Sequence, residues 1–389
     1  MAILLAVLVI SNSSSIGISS SSAYYALGIM FLLWIPLMKN SKMTILSYPM
    51  LGVYLAGFLS ILFNDIPPYY NSEQRFLMFI CFTLLIGPFL GGNKFTLFRK
   101  YLFYYSNIFI IVLSSLSCLG LITGIYSSTD RGGLSGLFGH SMLLSPMAGI
   151  GLLSCLYFFY STHIKKLKSF LLLCSLLCFV SAVAAGSRSA LMGTAVGILF
   201  FFYKLYKNRI SKYIQVVFLL LFLGISSFPL WENQTTFLMK KVSAAEEADN
   251  WTSSRETIWE HRIIEIQTSP VIGVGFAAEQ SDSFGRSEEE IEESGGNIEP
   301  GSSWLAIMSM TGILGFIPIF VLFLSDFKFI LTNKKNRLWL SYLGSILSLF
   351  TLHMMAEGYV FAFGSLLFFY LWLMLGVIQI TQKEVNFCI

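Results

Sequence analysis

Runs of roughly twenty apolar residues recur along almost the whole chain, and each is long enough as a helix to cross the ~30 Å hydrocarbon core of a bilayer. They lie near 2–20, 22–38, 44–63, 75–91, 100–124, 141–161, 168–186, 188–204, 213–230, 303–325, 338–356 and 359–380. Composition agrees: 55% of the 389 residues are apolar and only 12% charged. A water-exposed surface would need far more charge than that. The expected fold is an all-α integral membrane protein with about twelve transmembrane helices. The first run is the weakest, because the serine-rich stretch SNSSSIGISSSS also reads as a loop. The N-terminus has neither a charged leader nor a clear cleavage site, so no removed signal peptide is expected.

The pattern divides the chain into spans one to nine over 1–230, one long connection over 231–302, and spans ten to twelve with a short tail over 303–389. Lysine and arginine set the orientation. Alternate connections carry Lys39 and Lys42, then Lys94, Arg99 and Lys100, then Lys165, Lys166 and Lys168, then Lys204, Lys207, Arg209 and Lys212, then Lys328, Lys334, Lys335 and Arg337, then Lys383. That side is expected to be cytoplasmic, with both termini inside. The intervening short connections hold only Arg75, Arg131 and Arg188, and acidic residues outnumber basic ones about three to one in 231–302. The long connection is therefore expected outside.

Several chemistries find no support. All six cysteines fall in spans or at the C-terminus, so no disulfide framework or zinc cluster is written, and Cys174 and Cys178, four apart, read as buried packing. No paired-aspartate motif for a nucleotide-sugar cation appears, nor a phosphate-binding glycine loop. The run SEEEIEES at 287–294 reads as a solvated loop face, with calcium binding the lesser alternative. No metal, cofactor or nucleic acid is expected.

Charge beside a span is informative, because ionisable groups there are costly and commonly functional. In AAGSRSALMG, residues 184–193, Arg188 stands where the chain re-enters the membrane and Ser187 is placed to cap the new helix. A guanidinium beside a positive helix end makes an anion site, and its fork of donors suits phosphate oxygens. The alternative is a snorkelling arginine or an ion pair with Glu357. In NWTSSRETIWEHRIIEIQTSP the Ser253–Glu256 spacing of a capping box and Pro270 delimit an amphipathic helix over about 253–268. Arg255, Trp259, Arg262 and Ile266 share one face of it. That face suits a phosphorylated lipid head or a sugar ring, and a solvated amphipathic helix is the competing reading.

Two further places are expected on the outside. Glu299 precedes Pro300-Gly301-Ser302-Ser303, a tight turn followed by a serine cap on span ten. His353 and Glu357 are four apart and can share a helix face and a proton, either to move it or to hold two helices together.

The order SRSALM at a span start, SSRETIW with P-x-I-G-V-G, and SSWL followed by T-G-x-L-G, with a large outer loop between, resembles the O-antigen ligase and polymerase superfamily over roughly 130–380. The resemblance implies a GT-C-like membrane glycosyltransferase of the bacterial inner membrane whose active site faces the periplasm. It implies an undecaprenyl-pyrophosphate-linked oligosaccharide as donor, membrane lipid around it, a chain-length regulator protein as a partner, and neither metal nor cofactor. Arg188 and Arg255 match the family's paired pyrophosphate arginines, and Trp259, Arg262 and Arg131 join them as substrate-binding candidates. Ligases carry a histidine before the span that follows the large loop. Here the chain reads Asn297-Ile298-Glu299-Pro300-Gly301-Ser302 instead, while His353-x3-Glu357-Gly358-Tyr359 looks more like the polymerases. The expected function is therefore polymerisation of lipid-linked repeat units by metal-independent, inverting glycosyl transfer, with Glu299, then His353 and Glu357, as candidates for the base. Transfer of finished polymer to lipid A-core is the first alternative, and a flippase for the repeat unit the second.

Overall fold

The computed structural model describes residues 43–126, 133–231, 243, 255–279, 298 and 301–387. Spans one and two, most of the long connection, Arg131, Ser253 and Glu299 lie outside the described residues. The helices are α1 (Pro49–Leu62), α2 (Ser72–Leu85), α3 (Asn93–Ile122), α4 (Ser141–Ser161), α5 (Lys165–Ala185), α6 (Arg188–Leu205), α7 (Ile210–Trp231), α8 (Glu256–Thr268), α9 (Ser303–Thr332), α10 (Arg337–His353) and α11 (Leu366–Phe387). A two-residue antiparallel ladder pairs Thr44–Ile45 with Leu90–Gly91. Six helices among the described residues, α3, α4, α5, α6, α9 and α11, are long and apolar enough to cross a membrane. The protein is all-α and multi-pass.

Not every expected run becomes a full span. The run at 75–91 yields a helix of 14 residues that stops at Leu85. There the wholly buried Arg99 donates to the carbonyls of Leu84 and Leu85, both at 2.9 Å, so one charge expected in a solvated connection instead caps a helix end. Lys204 does the same for α9, reaching the carbonyls of Leu331 and Asn333 at 3.2 and 2.7 Å. The last run starts its helix at Leu366 rather than at 359, leaving 354–365 as loop.

The described residues divide into two compact units. The first takes Tyr101–Trp251 and Phe327–His353. Its seam is α6 on α10, where Gly193 and Gly197, four apart, lie against the backbone of Leu349 and Ser345. A methyl at Gly197 would come within 2.8 Å of the Ser345 carbonyl, so small residues set the helix spacing, as is common where lipid supplies no hydrophobic drive. Serines tie the remaining helices: Ser154 Oγ lies 2.7 Å from Tyr342 Oη, and Ser181 Oγ donates to the Ser114 carbonyl at 2.8 Å.

The second unit takes Ser20–Lys100, Thr252–Asp326 and Met354–Ile389. Its organising feature is a break in α9 at Gly312, where φ is 61° and ψ −166°. The segment Pro270-Val271-Ile272-Gly273-Val274 fills the break. The Pro270 and Val271 carbonyls accept the N–H groups of Ile313 and Leu314 at 2.9 and 3.3 Å, and the Val274 N–H donates to the Ser309 carbonyl at 2.8 Å. Backbone groups freed inside a membrane helix must find such partners. The two backbones touch closely enough that a methyl on Gly273 would overlap Met310 and Thr311, and one on Gly312 would overlap Val271. Both glycines also have positive φ. Gly273→Ala should therefore cost roughly 3 kcal/mol and lower the unfolding temperature of the detergent-purified protein by several degrees; an unchanged temperature would contradict this contact.

Candidate functional site

The filled break positions α8, because Pro270-Val271 follows that helix directly. Helix α8 begins at Glu256, with Arg255 in the N-cap position and making no side-chain capping bond; Ser253 of the expected capping box lies outside the described residues. Its orientation overturns the solvated-helix reading. The helix buries Arg262 and Glu265, while Ile263 and Ile264 are exposed.

Arg262 and Glu265 are each 0% exposed, with Arg262 Nη1 2.7 Å from Glu265 Oε2. Arg262 Nη2 lies 3.4 Å from Glu279 Oε2, and Nη1 lies 3.4 Å from Ser309 Oγ on α9. Tyr70 Oη in turn donates to the Glu279 carbonyl at 2.9 Å. Arg262 is thus enclosed by two carboxylates and a hydroxyl, which makes it the internal anchor of α8 rather than a surface for substrate. Trp259 is half-buried, and its indole N–H is buried without a hydrogen-bond partner among the described residues.

Arg255, at the head of the same face, donates from Nη2 to Glu357 Oε1. Both side chains keep 20% of their surface exposed, so this pair, unlike that of Arg262, can be reached by a ligand. The position of Glu357 is set by main-chain bonds. Ser302 Oγ accepts the Leu305 N–H at 3.5 Å, the expected serine cap of α9, and donates to the Met354 carbonyl at 3.2 Å. Ser303 donates to the Glu357 carbonyl from its N–H at 3.0 Å and from Oγ at 2.7 Å, and its Oγ accepts the Tyr359 N–H at 3.0 Å. The SSW motif therefore works as a clamp on the 354–359 loop. Burial pushes the Tyr359 phenol well above its ordinary pKa, and the Glu357 carboxylate adds to that, so Tyr359 remains a protonated donor across the physiological range.

The structure does not give His353 and Glu357 a shared helix face. Helix α10 ends at His353, and Glu357 follows three turn residues, so the four-residue helical spacing does not apply. His353 is also 0% exposed at the helix end and offers no surface to an acceptor.

In the first unit, Arg188 is the first residue of α6 and is half-buried. Ser187 occupies the N-cap position but makes no side-chain capping bond; its hydroxyl lies 3.4 Å from that of Ser189. The first helical bond runs from the Leu191 N–H to the Ser187 carbonyl, which leaves the preceding N–H groups outside the ladder. The Arg188 guanidinium forms no ion pair or side-chain hydrogen bond with the described residues.

A cavity of about 250 Å3 in the second unit is lined by Arg75, Ala277, Ile298, Ala306, Met310 and residues 358–363. Sequence reasoning counted Arg75 only among outer charges. Its wall residue Ala277 has a positive φ of 52°, a strained choice for alanine. Among the described residues no group of histidine, cysteine, aspartate or glutamate is arranged to hold a metal ion.

Residues 170–320 match the family described as O-Antigen ligase. The matched stretch contains Arg188, Arg255, Trp259, Arg262, Gly273 and Gly312, and its similarity supports the O-antigen ligase/polymerase superfamily, whose members are membrane glycosyltransferase-like enzymes acting on lipid-linked glycans. No curated protein matches the chain.

The two arginines of α8 should respond differently to truncation. Arg262→Ala leaves buried carboxylates without their cation and should cost about 3–5 kcal/mol, depleting the protein from membranes. Arg255→Ala disrupts a partly exposed pair and should leave abundance near wild type. Immunoblots of membrane fractions check both, and equal depletion would contradict the distinction.

Proposed function

We propose that this protein is a polymerase of undecaprenyl-pyrophosphate-linked oligosaccharide repeat units, acting at the periplasmic face of the inner membrane by metal-independent, inverting glycosyl transfer. The Arg255–Glu357 pair carries the reading. It sets a guanidinium suited to a diphosphate against a carboxylate suited to a hydroxyl proton, and both remain reachable.

The reaction then runs as a partner exchange. The donor's diphosphate takes the place of Glu357 on Arg255, whose planar fork suits two phosphate oxygens. The acceptor hydroxyl attacks the anomeric carbon from the side opposite the diphosphate. Its O–H bond breaks as the proton passes to Glu357, the new C–O bond forms, and the anomeric C–O bond breaks with its electron pair going to the leaving diphosphate. Arg255 stabilises that growing charge, a contribution on the order of 3 kcal/mol for one well-placed donor. Displacement of Glu357 frees the carboxylate when the donor is present, so base and donor arrive together. Arg188, in the first unit, is proposed separately as a phosphate-binding residue, on the ground of a guanidinium without an ion pair among the described residues at a helix start without a side-chain cap. Arg262 is reassigned to structure.

The absence of a histidine in 297–302 supports polymerase over ligase. The ligase reading has its own support in the description of the matched family. Surface glycan of a deletion strain separates them: loss of every repeat beyond the first marks a polymerase, and intact polymer left on the lipid carrier marks a ligase. A flippase would not lengthen glycans in detergent, where no compartments exist.

Arg188→Lys keeps the charge but loses the fork, so it should be inserted at normal abundance yet extend glycan at least roughly a hundredfold more slowly. Normal chain length on a gel at matched abundance would remove Arg188 from the account, since lysine snorkels equally well. The orientation is checked by a reporter active only in the periplasm, which should work after Glu279 and fail after Lys335; the reverse pattern would overturn the periplasmic site.

A further inference from the structure

In the first unit the ends of α6 and α9 are tied together by lysines. Lys204 Nζ donates to the carbonyls of Leu331 and Asn333, and Lys207 Nζ donates to the same Leu331 carbonyl at 3.0 Å. Two ammonium groups thus share one oxygen. The like charges of Lys207 and of Arg337, which opens α10, both act on Lys204. The connections joined in this way, 206–209 and 333–336, carry Arg209, Lys334 and Lys335, all exposed, and Lys212 is exposed in the first turn of α7.

Orientation in a membrane requires positive charge in such connections, but it does not require that charge to be gathered in one place. Gathered cations repel, and carboxylates are their ordinary relief. The described residues of the first unit contain neither aspartate nor glutamate. Asp130 precedes α4, which reaches this end only at Tyr160, whose hydroxyl lies 3.4 Å from that of Tyr206. Helix α7 leads away from it for 22 residues, about 33 Å, before the acids that follow Trp231. Asp326, where α9 passes from the second unit to the first, is buried and accepts from Gln379.

Beside the cations the surface is apolar. Tyr203 and Tyr213 meet edge to face at 6.0 Å, the kind of aromatic pair that sits at headgroup level. From Ile210, next to Arg209, an exposed stripe runs along α7 through Ile214, Phe218, Leu221 and Ile225. A free phosphate would match the cations alone, whereas a phospholipid matches cations and stripe together. We propose that this basic corner binds the phosphodiester headgroup of an anionic glycerophospholipid, with the acyl chains laid along the exposed stripe of α7. The phosphate oxygens meet Arg209, Lys334 and Lys335 and offset the repulsion among Lys204, Lys207 and Arg337. The lipid belongs to the leaflet at this end of the unit, the cytoplasmic one in the orientation proposed above. The site goes beyond the glycan-transfer reading and does not depend on it.

Delipidated full-length protein in a neutral detergent tests the proposal. It is titrated with dioleoyl-phosphatidylglycerol, dioleoyl-phosphatidylcholine, water-soluble glycerophosphoglycerol or inorganic phosphate, and binding is read from the rise in unfolding temperature. Phosphatidylglycerol should bind at least about tenfold tighter than each of the other three. The double variant Lys334→Gln/Lys335→Gln should weaken it by at least about tenfold. Lys165→Gln/Lys166→Gln removes two charges from the α4–α5 connection and should change it by less than about threefold. Arg209→Gln, at the other side of the corner, should weaken it about tenfold and serves if the Lys334/Lys335 variant fails to insert. Phosphatidylcholine binding as tightly marks an apolar lipid contact only, and phosphate or glycerophosphoglycerol binding as tightly marks a soluble-anion site. Equal weakening by the two lysine pairs marks general surface charge. Each of these three results, or phosphatidylglycerol binding untouched by the Lys334/Lys335 and Arg209 variants, would overturn the site.

Discussion

The contact on which the second unit depends is one backbone laid against another. Helix α9 cannot run straight through Gly312, and the groups it frees are satisfied by the carbonyls of Pro270 and Val271 and the N–H of Val274. Ser60 Oγ takes the Met310 carbonyl, and Asn64 Nδ2 takes that of Gly273 at 3.0 Å, so two further carbonyls at the break are paired. Glycine is needed on both strands of this contact because any Cβ would overlap the opposing main chain. Everything at the site follows from it. Helix α8 leads directly into the inserted segment, and the half of α9 before the break starts with the two serines that hold Glu357.

Helix α8 turns part of its charge inward. Arg262 and Glu265 are buried, while Ile263 and Ile264 are exposed, and Glu256 and Glu260 stay at the surface. The buried charges pair with one another, with Glu279 and Ser309 also on Arg262, which lowers the cost of their burial, because an unpaired charge in such a place would be far more costly. Along this one face the character changes gradually. Arg262 is enclosed and structural, the Trp259 N–H is buried without a partner among the described residues, and Arg255 is reachable beside Glu357. That gradient from anchor to open pair is what gives α8 a working end.

Much of this was legible in the residues. The apolar runs at 141–161, 168–186 and 188–204 coincide closely with α4, α5 and α6, because hydrophobic length is a local property. The serine cap of α9 and the shared face of Arg255, Trp259 and Arg262 are local too. What escaped depends on distant partners. The apolar stretch around TGILG gives no sign of a break, since its cause lies about forty residues earlier in PVIGV. Helical spacing linked His353 to Glu357, but α10 stops at His353 and the loop beyond obeys the Ser302–Ser303 clamp instead. Arg75 drew little notice because its cavity is assembled from α2, α9 and the 358–363 loop, which only the folded chain brings together.

The central claim is that Arg255 and Glu357 are more than a structural pair: in the proposed reaction they part, one to the diphosphate and one to the acceptor proton. Charge exchange separates the two possibilities most directly. The double variant Arg255→Glu/Glu357→Arg keeps one cation and one anion side by side, so a purely structural pair would tolerate it. Its extension of purified lipid-linked repeat units in detergent is the decisive measurement, made beside a melting curve that shows wild-type stability. The account predicts a stable protein that extends nothing, because the guanidinium and the carboxylate stand on the wrong sides of the reaction; a stable double variant with restored extension would contradict it.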